Sequence, residues 1–166
     1  VYKRQNQGFW HGRYNYHLDE KKRVSLEVFQ QMQFNSVQLI QFRYLTGAGL
    51  GWNVLERDSF KFRVGTLPMY EYEELTTNVI ERNFRQSTYV LLFFKLNMLE
   101  FQSINYYQPK VTDFSDYRFS SSSSVEFTLR KWLKYNVSFD LLYDSKVPAT
   151  IPDLVFTLRN GLGVEF

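Results

Sequence analysis

Few residues in this chain could carry acid–base chemistry. His11 and His17 are its only histidines, and a histidine base must lie within hydrogen-bond reach of the nucleophile or water that it activates. No Gly-x-Ser-x-Gly sequence accompanies them. The serine run at 120–124 leads into Val125 and Phe127 at every second position, which is typical of a strand. We therefore interpret both histidines as polar residues without a catalytic role, and we predict no catalytic residue and no enzyme.

Three glycines resemble a phosphate-binding loop at first sight. Gly47, Gly49 and Gly51 alternate within an apolar segment, whereas a dinucleotide or P-loop site needs a loop that opens a helix. The spacing instead predicts glycines on one face of a strand, where they relieve crowding or let the strand bend.

No metal or cofactor site is predicted. The chain has no cysteine, which excludes disulfides and thiolate-bound metals. Asp113, Asp116, Asp144 and Asp153 fall where loops are predicted, but they lack the close ligand spacing of a divalent cation site. We interpret these four aspartates as a solvated acidic rim.

Charged and apolar residues alternate along most of the chain. Leu154, Phe156 and Leu158 share one parity, for example, while Thr157 and Arg159 share the other. This alternation predicts strands whose two faces meet different media. If the apolar face meets lipid, the charges point into an enclosed interior, where opposite charges pair and fill it. The predicted interior charges are Glu27, Arg43, Lys61, Arg63, Glu71, Glu73, Arg118, Glu126, Arg130, Asp140, Arg159 and Glu165.

The alternation recurs in nine segments of about ten or more residues, longer than most strands of globular sheets. Aromatic residues make up 19% of the chain and only 4 prolines occur, a composition that favours strands. No window approaches about 18 consecutive apolar residues, whereas a strand crosses a membrane with about 9–11. The prediction is one all-β domain over residues 1–166, an antiparallel up-and-down transmembrane β-barrel.

Turn lengths favour the membrane interpretation. Outer-membrane barrels have short periplasmic turns and longer outer loops. Short turns are predicted near 18–22, 55–58, 95–98 and 131–134, and longer connections at 75–86, 108–115 and 144–153, with 34–37 a short member of the second set. The last strand would then end in the periplasm.

Aromatic residues near the ends of the predicted strands suit the two membrane interfaces. They are Trp52, Phe60, Trp132, Tyr135 and Phe166 at the short-turn end, and Tyr70, Tyr72, Tyr117 and Tyr143 at the other. Two alternatives remain open, a soluble β-barrel that binds an apolar ligand and an outer-membrane lipid-modifying enzyme. The net charge of +3 is too small to support nucleic-acid binding.

Four segments also carry a family resemblance. TGAGLGW, LERDSFKFRVG, DFSDYRF and GLGVEF occur in this order, and together they resemble the salt-induced outer-membrane protein family, domain of unknown function 481. The resemblance runs from about Tyr14 to Phe166. It implies an exported β-barrel in the outer membrane of a Gram-negative bacterium, and it implies no defined activity.

The resemblance also implies strands before the first visible one. Bacterial barrels have even strand numbers, so we expect nine visible strands out of about ten to twelve, and we expect residues 1–5 to be non-native.

The predicted role is non-enzymatic: envelope integrity, stress response or restricted passage of small solutes. The predicted partners are outer-membrane lipid and, through the C-terminal strand, the barrel-assembly machinery. The sequence does not identify a solute.

Overall fold

Nine β-strands make up the computed structural model, which describes residues 6–36, 38–147 and 152–164. Each strand pairs antiparallel with the next one along the chain, in a single sheet. The strands are β1 (Gln7–His17), β2 (Val24–Asn35), β3 (Ile40–Arg57), β4 (Phe60–Leu75), β5 (Ile80–Leu96), β6 (Leu99–Lys110), β7 (Asp113–Arg130), β8 (Leu133–Asp144) and β9 (Leu154–Val164). The predicted all-β, up-and-down fold with nine visible strands is confirmed.

No helix among the described residues has the length and apolarity to cross a membrane.

The sheet is curled but not closed. Within the described residues β1 and β9 form its two edges. Arg13 on β1 nevertheless donates a hydrogen bond to the Tyr106 hydroxyl on β6 at 3.3 Å, and Arg118 on β7 pairs with Glu71 on β4. Strands this far apart in the pairing order touch only where the sheet bends toward a barrel. The bend defines a concave inner face and a convex outer face.

The two faces have opposite character. On β2 the inward Ser25 and Glu27 are buried, whereas the outward Leu26 and Val28 are 41% and 42% exposed. At the far edge, Leu162 on β9 is 68% exposed. A soluble sheet buries its apolar face instead, and an exposed apolar surface of this extent marks a membrane or a partner. The described strands therefore show the predicted arrangement, with apolar side chains outside and charges inside.

Glycines on the inner face make room for side chains that cross the interior. A Cβ added at Gly51 would collide with Glu27 and Arg63, and a Cβ added at Gly65 would collide with the Tyr89 ring. The predicted packing role of the alternating glycines is confirmed at Gly51. Glycine is therefore needed at these positions for space.

The connections differ less in length than the sequence predicts. The predicted long loops at 75–86 and 108–115 are wrong, because β5 already begins at Ile80 and β6 runs to Lys110. One end of the sheet, the short-turn end, carries the connections 18–23, 58–59, 97–98 and 131–132, and the other, the loop end, carries 36–39, 76–79, 111–112 and 145–153.

Ile40 lies on the face opposite to the predicted one. The alternation places it outside together with Phe42, but a register shift separates the two residues. This shift turns Ile40 inward, where it is 3% exposed. A β-bulge moves side chains to the other face in this way, and the alternation of residue types does not reveal it.

Pro68 lies inside β4 without a register shift in the β4–β5 ladder. It pairs with Gln86 on β5. On the β3 side, the ladder has no pairs between Gly47–Met69 and Leu50–Thr66, although the register is the same on both sides of the gap. Proline lacks the N–H group that such a pair requires, so its effect is a local gap in the β3–β4 ladder.

We expect Gly65→Ala to lower the free energy of unfolding by about 1–3 kcal/mol, because the added methyl group must displace the Tyr89 ring. Equilibrium urea unfolding of the detergent-folded protein measures the change. Gly161→Ala is the matched control, since nothing lies within 4 Å of a Cβ at that inner-face position. An equal loss of stability in both variants would contradict the packing role of Gly65.

Candidate functional site

Most of the buried polar side chains lie on the inner face of the curled sheet. Burying a charge is unfavourable unless the charge is paired and hydrogen-bonded, so the pairing of these groups determines what the interior can do. The buried polar residues on the inner face are Ser25, Glu27, Arg43, Glu71, Glu73, Asn83, Arg85, Ser87, Asp116 and Arg118.

A cluster of alternating charges occupies the interior toward the loop end, and Glu71 is its centre. The fully buried Glu71 carboxylate accepts hydrogen bonds from Arg85 Nε at 2.7 Å and from Arg118 Nη1. Its Oε1 lies 3.4 Å from Arg43 Nε. Three guanidinium groups, from β3, β5 and β7, thus surround one carboxylate on β4. We call the whole set the Glu71 cluster, and it comprises Arg43, Glu71, Glu73, Arg85, Asp116, Arg118 and Asp144.

Further carboxylates take the remaining guanidinium donors of this cluster. Glu73 accepts a hydrogen bond from Arg118 Nη2 at 3.0 Å, and Asp144 on β8 accepts one from Arg118 Nε at 2.6 Å. Asp116 accepts one from Arg85 Nη2 at 2.9 Å. Four carboxylates therefore face three arginines, and the charges nearly balance. Because the cluster joins β4 to β7 and β8, it lies across the interior and does not merely line one wall.

An apolar layer follows the Glu71 cluster toward the short-turn end. Phe29, Leu45, Leu67 and Met69 pack together with the Tyr89 ring, and partly buried side chains of β6 pack against them. The layer lies between the Glu71 cluster and a second network of charges.

The second network, which we call the Glu27 cluster, lies beyond the apolar layer. Arg63 pairs with Glu27 and donates from Nε to the Tyr89 hydroxyl at 2.9 Å, and this hydroxyl donates to Glu27 Oε1 at 2.6 Å. Arg13 Nη1 lies 3.7 Å from Glu27 Oε2, and neither that oxygen nor Arg13 Nε has a hydrogen-bond partner among the described residues. The cluster comprises Arg13, Ser25, Glu27, Asn53, Arg63 and Tyr89.

A cavity of about 730 Å³ remains beside the Glu71 cluster, on the side toward β1. We call it the inner chamber. Arg43 and Arg118 form part of its wall, together with Phe29, Leu45 and Tyr106. Its volume lies within the range of small-molecule sites, about 300–1,000 Å³.

The structure brings together half of the predicted interior charges. Arg43, Glu71, Glu73 and Arg118 belong to the Glu71 cluster, and Glu27 and Arg63 belong to the Glu27 cluster.

The other predicted interior charges lie outside both clusters. Arg159 pairs with Asp140 toward the β9 edge, and Glu126 pairs with Lys134 at 3.3 Å. Lys61 Nζ lies 5.8 Å from the centre of the Phe93 ring. Arg130 is exposed, and Glu165 lies outside the described residues.

Several cluster members were missed by sequence reasoning. Arg85 falls within the predicted loop 75–86, and Tyr89 lies on β5 where residues 87–99 are apolar on both parities and hide the inner face. A signal was present, since Asn83, Arg85 and Ser87 are polar at every second position.

The interpretation of Asp116 and Asp144 as a solvated rim is wrong, because both lie on strands and accept hydrogen bonds from buried arginines.

The loop-end rim carries one of the four predicted rim aspartates in an exposed pair. Lys146 Nζ donates to Asp113 Oδ2 at 2.6 Å, and this hydrogen bond raises the pKa of Lys146. Exposed pairs of this kind contribute little to stability. Within the described part of the chain, no three His, Asp or Glu side chains are placed to hold a metal ion.

The predicted interface aromatics lie toward the two ends of the strands. At the loop end the rings touch across neighbouring strands, with centroid distances of 5.4 Å for Tyr70 and Phe84 and 5.7 Å for Tyr117 and Tyr143. Tyr72 likewise packs against Phe42 at 6.3 Å. At the short-turn end lie Trp52, Phe60, Trp132 and Tyr135, and Phe166 lies outside the described residues. Their position at lipid–water interfaces stays a prediction.

The histidines have neighbours without catalytic character. His11 Nδ1 lies 3.3 Å from Gln31 Oε1, and its ring stacks between those of Phe9 and Phe29. His17 is exposed at the end of β1. The described contacts of His11 include no serine and no carboxylate.

A curled up-and-down sheet with a polar interior and an apolar exterior is the architecture of an outer-membrane β-barrel. The chain matches the family model described as a protein of unknown function, DUF481, over residues 3–166, so this protein belongs to the DUF481 family. No match is found among the curated proteins.

A solved structure supports the same architecture. The fold is similar to that of the NanC porin in its rhombohedral crystal form, with a TM-score of 0.61 and 12% sequence identity over 97% of this chain and 80% of that chain. At this identity the similarity shows the fold alone.

We expect Glu71→Gln to lower the free energy of unfolding by about 3–5 kcal/mol, because three buried guanidinium groups lose their shared negative charge. Urea unfolding of the detergent-folded protein measures the loss. Glu100→Gln is the matched control, since Glu100 forms an exposed pair with Lys95 and should change stability by less than about 1 kcal/mol. Equal effects of the two substitutions would contradict the central role of Glu71.

Proposed function

We propose that this protein is a non-enzymatic outer-membrane β-barrel whose interior restricts the passage of small solutes. The observation that carries the proposal is the pairing of charges from non-adjacent strands across the concave face, while large apolar side chains stay exposed on the convex face. Contact with water is unfavourable for such an apolar exterior. The interior offers a narrow polar route for small solutes.

The strand lengths support a membrane location. The strands have 11 to 18 residues, and about 9–11 tilted residues suffice to cross a bilayer. Three of the four connections at the short-turn end have two residues, and three of the four at the loop end have four or more. Because outer-membrane barrels place short turns in the periplasm, we propose that the loop end faces the outside of a Gram-negative cell.

The contents of the interior argue for restricted rather than general passage. Barrels of about sixteen or more strands leave a wide aqueous channel, whereas small ones are filled by side chains. In this chain the Glu71 cluster lies between β4 and β7, and the apolar layer follows it. The inner chamber is open space beside these obstacles, so a general pore is not the function that this arrangement favours.

Two predicted alternatives receive less support. A soluble barrel that binds an apolar ligand would need an apolar interior, yet Glu27 and Glu71 are fully buried in the interior of this sheet. A lipid-modifying enzyme would need a base beside a nucleophile, and the described contacts of His11 are with a glutamine and two phenylalanine rings.

The proposed partners follow from the outer surface and the last strand. Outer-membrane lipid would cover the exposed apolar side chains, among them Leu158 and Leu162. The barrel-assembly machinery would recognise the C-terminal strand, of which the structure describes Leu154–Val164. Both partners belong to the proposal, as does a role in salt stress.

We expect the full chain to insert into the outer membrane of a Gram-negative host and to migrate differently on a gel before and after boiling, because barrels resist unheated detergent. Fractionation followed by gel migration measures both properties. A soluble, heat-insensitive protein would overturn the membrane proposal.

We expect a small conductance in planar bilayers, increased several-fold by the double substitution Glu71→Ala/Arg118→Ala, which removes a buried pair from the interior. Removing one anion and one cation together leaves the net charge of the Glu71 cluster unchanged. The control is Lys95→Ala/Glu100→Ala, an exposed pair beside the short turn 97–98. If neither double variant changes the conductance, the proposed solute route is wrong and an envelope-supporting role takes its place.

A further inference from the structure

The wall of the inner chamber differs in chemistry from the two ionic clusters. Carboxamide side chains face the chamber, and among the described residues no carboxylate does. A carboxamide offers both donors and an acceptor, and a hydroxyl group likewise donates and accepts. Such a wall therefore suits a solute that carries several hydroxyl groups. The carboxamides are Gln7, Gln31, Gln33, Asn35, Gln38 and Gln108.

The positive charges at the wall are already compensated. Arg43 Nε donates to Glu73 Oε2 at 2.6 Å, and Arg118 Nε donates to Asp144 Oδ2 at 2.6 Å. The third arginine at the wall, Arg13, lies 3.7 Å from a buried carboxylate oxygen. Arg13 shares that carboxylate, Glu27, with Arg63. The two clusters together hold five arginines and five carboxylates, so the chamber presents little net charge to attract an anion.

Hydrogen bonds hold part of the amide wall in place. Gln31 Nε2 donates to Gln33 Oε1 at 2.9 Å, and Gln31 Oε1 lies 3.3 Å from His11 Nδ1. On the opposite side, Gln108 donates to Ser87 Oγ at 3.2 Å. Side chains fixed in this way lose less freedom when a solute binds.

A stack of flat rings borders the same chamber. The His11 ring lies between Phe9, at 6.1 Å and an interplanar angle of 1°, and Phe29, at 5.9 Å and 18°. All three residues line the chamber. Specific small-molecule sites combine aromatic surface with a few placed polar groups, and the C–H face of a sugar ring packs well on such a surface.

We infer that the inner chamber binds an uncharged, polyhydroxylated solute of the sugar type. The inference rests on the proposed restricted passage and names the solute class for it. The volume of about 730 Å³ accommodates more than one sugar ring. The paired amides and stacked rings suit a sugar ring, and the compensated arginines favour a neutral sugar over a sugar acid.

Isothermal titration of the detergent-folded full chain tests the inference with two trisaccharides, neutral raffinose and acidic trigalacturonate. Raffinose should bind measurably and more tightly than trigalacturonate. Gln31→Leu should weaken raffinose binding about tenfold, the equivalent of one lost hydrogen bond. Gln33→Leu serves the same purpose if the first variant does not fold. Gln30→Leu is the matched control, since Gln30 precedes Gln31 on β2 and is exposed on the outer face. The Gln30→Leu variant should bind raffinose as tightly as the unsubstituted chain does.

Three results would overturn the inference: no binding of raffinose, tighter binding of trigalacturonate, or equal losses for Gln31→Leu and Gln30→Leu. Membrane insertion and conductance are measured separately. If the protein inserts and conducts but does not bind raffinose, only the inference that the chamber binds a sugar is refuted. A protein that binds raffinose but stays soluble refutes the membrane proposal and leaves the ligand class of the chamber standing.

Discussion

Glu71 carries the interaction on which the rest of the structure depends. Its carboxylate has no exposed surface, and it survives burial because three guanidinium groups reach it from β3, β5 and β7. These contacts require that non-adjacent strands approach each other, so the sheet has to curl. The curl in turn crowds the inner face, which explains why glycine stands opposite the Tyr89 ring at position 65.

The distribution of polarity links this interior to the surroundings. A strand with period-two alternation is compatible with a barrel that has a polar exterior and an apolar interior, or with the reverse. Here the ionic side chains lie inside in paired clusters, and the apolar ones face outward. Stability therefore depends on a medium that covers the convex face, and selectivity depends on the space that the paired charges leave free.

The sequence allowed a good prediction of the strands and their faces but a poor one of the contacts. Alternation identified the inner parity of β2 and most of β3, because each residue there follows the pattern. It could not show that Arg118 meets Glu71, since the two lie 47 positions apart and meet only through the curl. Arg85 was missed because it falls within the predicted loop 75–86. The loop before β5 was overestimated because the outward Arg82 and Gln86 look like loop residues, although both lie in the β4–β5 ladder.

The bridge from Arg118 to Glu71 also constrains the order of events during assembly. Glu71 and Glu73 on β4 precede Arg118 on β7 in the chain, and until β7 pairs, their carboxylates have only Arg43 and Arg85 as partners. In a membrane, a sheet without β7 would leave these two buried carboxylates with two guanidinium groups instead of three, and incompletely paired buried charges are costly. Strands β4 to β7 should therefore enter the membrane as one cooperative unit, with the ionic side chains kept hydrated until the last of them is in place.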